Sequence, residues 1–205
     1  IESQYRKLFD LGDLTLESAF LPSGGNNSIK GFLKIKGNAR LDQSTFLNVD
    51  TTLISDTSFL GKYGYDDRDR FLNSISFEKF SNRSSLQAST LYHTSLRDSN
   101  AVEPLVLPDF RYRKYKKFKK YGLLLSEKYS LVGISRREGT GYSRLSADIE
   151  LSKSWQTENG LIVRGTGNVL TAAYNENNVN TERFLLKVYP LGALEFKYPF
   201  FRGKN

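Results

Sequence analysis

Seven basic residues and three aromatics fill the ten positions of RYRKYKKFKK, Arg111 to Lys120. Cations interleaved with rings can hold a phosphate backbone and stack bases, contact an anionic lipid, or simply keep a turn wet. Nucleic acid is the weakest of these readings, because no RRM signature, helix-turn-helix pattern or zinc-ligand spacing accompanies the run. A second charged stretch, DDRDR at Asp66–Arg70, mixes signs as a solvated connection does and has no readable cation-ligand spacing. Glu78, Glu103 and Glu150 are scattered, so no two are placed as a facing hydrolytic pair. The single histidine, His93, has no partner beside it to organise acid–base chemistry, and the lack of cysteine removes thiol nucleophiles and disulfides. The residues therefore point to no enzyme, no cofactor and no metal.

The elements that must carry these residues are strands. Period-two alternation recurs along the chain: LTLESAF sets Leu14, Leu16, Ser18 and Phe20 against Thr15, Glu17 and Ala19, and Thr45, Leu47, Val49, Thr51 and Leu53 alternate with Phe46, Asn48, Asp50 and Thr52. The same pattern predicts strands at 30–37, 71–80, 85–96, 105–115, 121–132, 142–153, 160–170 and 183–189, roughly ten in all, with no long helical stripe. Polar links at 41–44, 81–84 and 157–160 are short; those at 55–70, 97–104, 133–141 and 171–182 are longer. The fold class is all-β, an antiparallel meander. No run reaches the roughly 18 apolar residues of a membrane helix, whereas a barrel strand needs only about 9 to 11 residues with one apolar face. A soluble sandwich or solenoid has the same broad alternation, so a wet sheet surface and a wet lumen both fit.

Arg111 continues LVLPDFRY, and Tyr121 and Gly122 begin GLLLSEKY, which puts most of the basic run at a connection; a sheet charged on both sides is a poor core. A net charge of +8 favours polyanions without bearing on fold. Methionine is absent, even from position 1, and a longer parent protein is expected.

Three segments match one family in order. GDLTLESAFLPS, then a basic strand and FLNVDTTLISDTSFLGKYG at 46–64, resembles early barrel strands and the Ser-Asp-x-x-Phe/Tyr passage of the LptD family of lipopolysaccharide-assembly outer-membrane proteins. EPLVLPDFRY at 103–112 is similar to its proline-bearing strand. GYSRLSADIELSKSWQTENGLIVRGTGNV at 141–169 and LGALEFKYPFFR at 191–202 resemble later strands of its alphaproteobacterial members. The resemblance implies that 1–205 is a partial outer-membrane β-barrel domain, part of a large transmembrane barrel, without the first two and the later strands. It also implies a translocon in a Gram-negative outer membrane that inserts lipopolysaccharide into the outer leaflet. Its expected partners are an LptE-like plug lipoprotein, the periplasmic Lpt bridge acting through an N-terminal domain, and outer-membrane lipid, with no nucleic acid. The competing function is a structural or passive-channel barrel, or a soluble adhesive β protein.

Ser55, Asp56 and Phe59 occupy the family's passage; Asp56 reads as a turn initiator and Phe59 as a ring against the wall. Arg111, Arg113, Lys114, Lys116, Lys117, Lys119 and Lys120 are the candidate contacts to an anionic lipid substrate. Trp155, near a strand end, is a candidate interfacial anchor. Pro104 and Pro108 are expected at a strand start or a bulge.

Overall fold

Alternation becomes geometry in a computed structural model that describes residues 1–22, 29–97, 102–178 and 181–199. Eleven strands pair in chain order as one antiparallel sheet: β1 (Glu2–Phe9), β2 (Gly12–Pro22), β3 (Ile29–Arg40), β4 (Thr45–Ile54), β5 (Arg70–Ser81), β6 (Ser84–Ser95), β7 (Leu105–Phe118), β8 (Leu123–Ser135), β9 (Gly141–Gln156), β10 (Ile162–Asn178) and β11 (Thr181–Lys197). A helical turn, α1 (Phe59–Lys62), the one among the described residues, lies between β4 and β5. The connections at one end of the sheet, 10–11, 41–44, 82–83, 119–122 and 157–161, are all short. The opposite end carries the longest, 55–69 and 96–104. The sheet is not closed: β1 and β11 are its two edges.

Residues paired across an antiparallel ladder project to the same side, and successive residues project to opposite sides. The register therefore sorts the chain into two faces. One is apolar: a row runs from Leu14 through Gly37 and Val49 to Ile75, and another from Phe110 through Leu131, Leu145 and Ala173 to Leu186. The other is polar: Glu17, Lys34 and Thr52 form one row, and Arg113, Lys128 and Asp148 another. Among the described residues nothing covers the apolar rows, where Leu145, Val169 and Leu186 are exposed. A contiguous uncovered apolar surface of this kind calls for a non-aqueous neighbour.

The buried cluster lies on the polar side of the sheet. Segment 55–69 folds across β2 and β3, where Phe59 and Leu60 pack with Ala19, Phe32 and Phe71. The β4–β5 ladder stops at Asp50 and Ser74. Beyond it, Asn73 takes over with its side chain: its Oδ1 accepts from the Thr52 N–H at 2.7 Å, and its Nδ2 donates to Thr94 Oγ1 at 2.9 Å. Pro104 directly precedes β7, and Pro108 sits where the register of β7 shifts between Val106 and Asp109. The missing proline N–H thus falls where the ladder is already interrupted.

Two expectations change. The strands number eleven, because ESQYRKLF forms β1 although its few apolar residues lack strict alternation; pairing with β2 from Glu2↔Ala19 to Phe9↔Gly12 supplies what its own pattern does not. The basic run is also not mainly a connection. β7 continues to Phe118, with Arg113 opposite Lys128, Lys114 opposite Glu127 and Lys116 opposite Leu125, leaving only Lys119 and Lys120 in the turn. A strand charged on both sides is unsuitable as core, but the end of an uncovered sheet has polar surroundings on both.

Candidate functional site

Two groups of side chains give the polar face its chemistry. The first lies over β2–β5, where the Glu17, Lys34 and Lys36 rows meet the returning segment. Asp66 reaches back to Lys34 at 3.2 Å and receives both Nε and Nη2 of Arg68, at 3.0 and 2.7 Å. Lys36 and Asp50 are 3.7 Å apart. Glu17, Lys34, Lys36, Asp50 and Arg68, together with Arg6 and Thr15, border a cavity of about 440 Å³.

Ser55 fixes the start of the segment to β3: its Oγ accepts from the Gly31 N–H at 2.8 Å and donates to the Gly31 carbonyl at 3.1 Å. Asp56 accepts from the N–H and hydroxyl of Ser58 and lies 2.8 Å from the Lys30 ammonium. Phe59, 2% exposed, has Phe32 and Tyr65 rings with centroids at 6.3 and 5.9 Å. The Arg68 guanidinium holds the Asp66 carboxyl well below the ordinary carboxylate range, and the Lys30 ammonium and Ser58 do the same for Asp56. Because both folded values are depressed, the docking they stabilise is complete above the unfolded value, 3.8, and is lost as pH falls below it. The protection of 55–69 against hydrogen exchange, relative to the intrinsic rate at each pH, is therefore expected to stay constant through neutral pH and fall only below about pH 4. Asp66→Asn should lower that protection already at neutral pH and reduce its acid dependence. A transition near neutral pH would contradict the assignment.

The second group spans β7–β10. Asp109, 6% exposed, takes a two-point contact from Arg111, Nε to Oδ1 at 3.1 Å and Nη2 to Oδ2 at 3.0 Å. Lys128 and Asp148 pair at 2.9 Å, and Asn168 Nδ2 also donates to Asp148. Arg164 reaches Glu150 at 3.5 Å, and the hydroxyls of Ser130 and Ser146 are 2.6 Å apart. Among the described residues Arg113 has no carboxylate within ion-pair reach, and Arg144 Nε is buried without a hydrogen-bond partner. This surface can present fixed cations to an anionic group while its carboxylates stay occupied. It holds no arrangement of nucleophile, base and orienting group.

The sequence-predicted residues divide between the faces. Arg111, Arg113 and Lys117 share the polar side, whereas Lys114 and Lys116 project with Tyr112 and Phe118 on the apolar side. Trp155, 46% exposed, ends β9 on the apolar side with the Lys153 ammonium 5.4 Å from its ring. His93 is paired with Leu72 within β6 and takes no part in either group. The sequence reading missed Lys128, Asp148 and Arg164, and weighed Glu150 only as a scattered carboxylate. Each looks like an ordinary solvated charge until the register sets Lys128 opposite Asp148; their shared strand parity is the one signal that carried this.

Among the described residues no helix is long and apolar enough to cross a membrane, which leaves crossing by strands open. A comparison with curated proteins gives no match. Residues 28–203 match the family described as LptD, LPS transport system D. With an all-β meander, one uncovered apolar face and one charged face, the chain belongs to the LptD family of lipopolysaccharide-transport proteins of the Gram-negative outer membrane.

Proposed function

We propose that residues 1–205 form part of the transmembrane wall of the translocon that inserts lipopolysaccharide into the outer leaflet, with the apolar face toward lipid and the polar face lining the lumen. The observation that carries this is the separation of the two faces along the cross-strand rows, with the charges of the apolar face gathered toward the short-turn end. It is the pattern of a wall between hydrocarbon and water. An LptE-like lipoprotein occupies the lumen, and lipopolysaccharide arrives from the periplasmic Lpt bridge. Arg113 and Lys117, free of carboxylates, and Arg111, anchored by Asp109, offer their charge to its phosphates.

Photo-crosslinkers in the full parent protein test the sidedness. Thr166, on the polar face, should capture the plug or lipopolysaccharide, and Leu131, on the apolar face, should capture phospholipid. The reverse pattern would sink the reading. Replacing Arg111, Arg113 and Lys117 together with Gln is expected to lower surface delivery of lipopolysaccharide by about threefold or more with the plug still bound. Unchanged delivery at low and physiological salt would remove these residues from the pathway.

A further inference from the structure

The half of the basic run that faces away from the lumen is left without a role by that reading. Lys114 and Lys116 project on the apolar face at the short-turn end of β7, and Lys153 joins them from β9 through Leu123, which pairs with both Phe118 and Lys153. Among the described residues none of the three ammonium groups has an ion-pair partner. Two lie against rings: Lys116 is 4.8 Å from the Phe118 centroid and Lys153 is 5.4 Å from that of Trp155. The Trp155 ring lies over Gly165, where a Cβ would meet it at 3.2 Å, so a glycine is what lets the indole lie flat on the sheet. β1 repeats the arrangement at the same end and on the same face, with Lys7 4.9 Å from the Phe9 ring. Beyond these groups the face becomes Leu125, Leu151, Ile149 and Val169, with Glu127 opposite Lys114 as the one carboxylate among them, outside ion-pair distance.

A cation at the margin of an apolar wall cannot stay in hydrocarbon and must reach the headgroup layer, with its ring at the boundary. Short turns mark the periplasmic end of an outer-membrane barrel. Resting on the barrel-wall reading above, we infer that Lys114, Lys116 and Lys153, with Phe118 and Trp155, form a headgroup site for anionic phospholipid of the periplasmic leaflet, recognised through its phosphate. The two sides of one strand then serve two anions: lumenal Arg111, Arg113 and Lys117 face the transported lipid, and their outward neighbours hold the resident one. Lysine suits the second task, as a flexible point charge that follows a mobile headgroup.

The test uses the full parent with its plug in nanodiscs of phosphatidylcholine containing phosphatidylglycerol. The readout is enrichment of phosphatidylglycerol among lipids that remain on the protein in native mass spectrometry. Lys114→Gln/Lys116→Gln/Lys153→Gln is expected to reduce that enrichment roughly tenfold. The corresponding Arg triple variant should retain it, and the lumenal pair Arg113→Gln/Lys117→Gln should leave it unchanged. Enrichment undiminished in the Gln triple variant, or lost equally in the lumenal pair, would overturn the site. Insertion of the unmodified parent separates the two readings. A parent that does not enter the bilayer overturns the wall and the headgroup site together, whereas an inserted parent with no phosphatidylglycerol preference overturns the headgroup site alone.

Discussion

Val169→Arg in the parent protein is expected to lose about 2–4 kcal/mol of barrel stability and most of its heat-resistant folded form, while Thr166→Arg on the same strand loses roughly 1 kcal/mol or less. Val169 sits in mid-β10 between Ile149 and Pro190, on the apolar face and with no charge on either ladder neighbour. Thr166 lies between Ser152 and Ala193 on the charged face, where Arg164 already projects. A guanidinium at the first site has hydrocarbon around it and no short route to water; at the second it meets a lumen. The measurement is the urea midpoint of the refolded barrel in lipid, with its gel mobility before heating as a second reading. Equal losses at the two positions would refute the assignment of faces, and with it the proposed wall.

The second large effect concerns the segment that returns over β2 and β3. Phe59→Ala removes a ring packed among Phe32, Tyr65 and Leu60, and such truncations cost about 3–5 kcal/mol in a closed site. Here the loss falls on docking of 55–69 rather than on the ladder, because the strands keep their backbone hydrogen bonds. Limited proteolysis should cut the variant within 55–69 while the barrel stays folded. Tyr63→Ala, at a ring 48% exposed and 4.9 Å from that of Phe59, should have a clearly smaller effect. Cleavage rates equal to those of the unmodified protein would show that the cluster does not hold the segment.

The strands themselves were largely legible, because a sheet with one apolar and one polar face writes both into alternate residues. Leu14, Leu16 and Phe20 against Thr15 and Glu17 need no tertiary information to be read as a strand. β1 escaped because Tyr5, Leu8 and Phe9 do not keep a period of two, and its place is set by the ladder with β2. The basic run was misplaced for a different reason. Charges at Arg113 and Lys114 exclude a buried strand, and the inference from charged to turn assumes that every strand must bury one side. At the short-turn end of this sheet neither side of β7 is buried. The charge network of β8–β10 was illegible for want of register: Lys128 and Asp148 are 20 residues apart, and only the hairpin between them makes the pair.

The order of the sheet also sets how it can be made. Each strand finds its neighbours among those directly before and after it in the chain, so every ladder closes over a single hairpin and no pairing waits for a distant segment. Loop-closure entropy is then met in small, nearly equal steps rather than in one large one, and such low contact order favours fast folding. Growth by successive hairpins presents one advancing row of unpaired N–H and C=O groups at a time. In hydrocarbon those groups have nothing else to bond, so an assembly that stalls after any hairpin is held at its most reactive edge, a template for the next strand or for a stray one. That moving edge has to be guarded, whichever strand happens to form it, and so does the fixed one at β1.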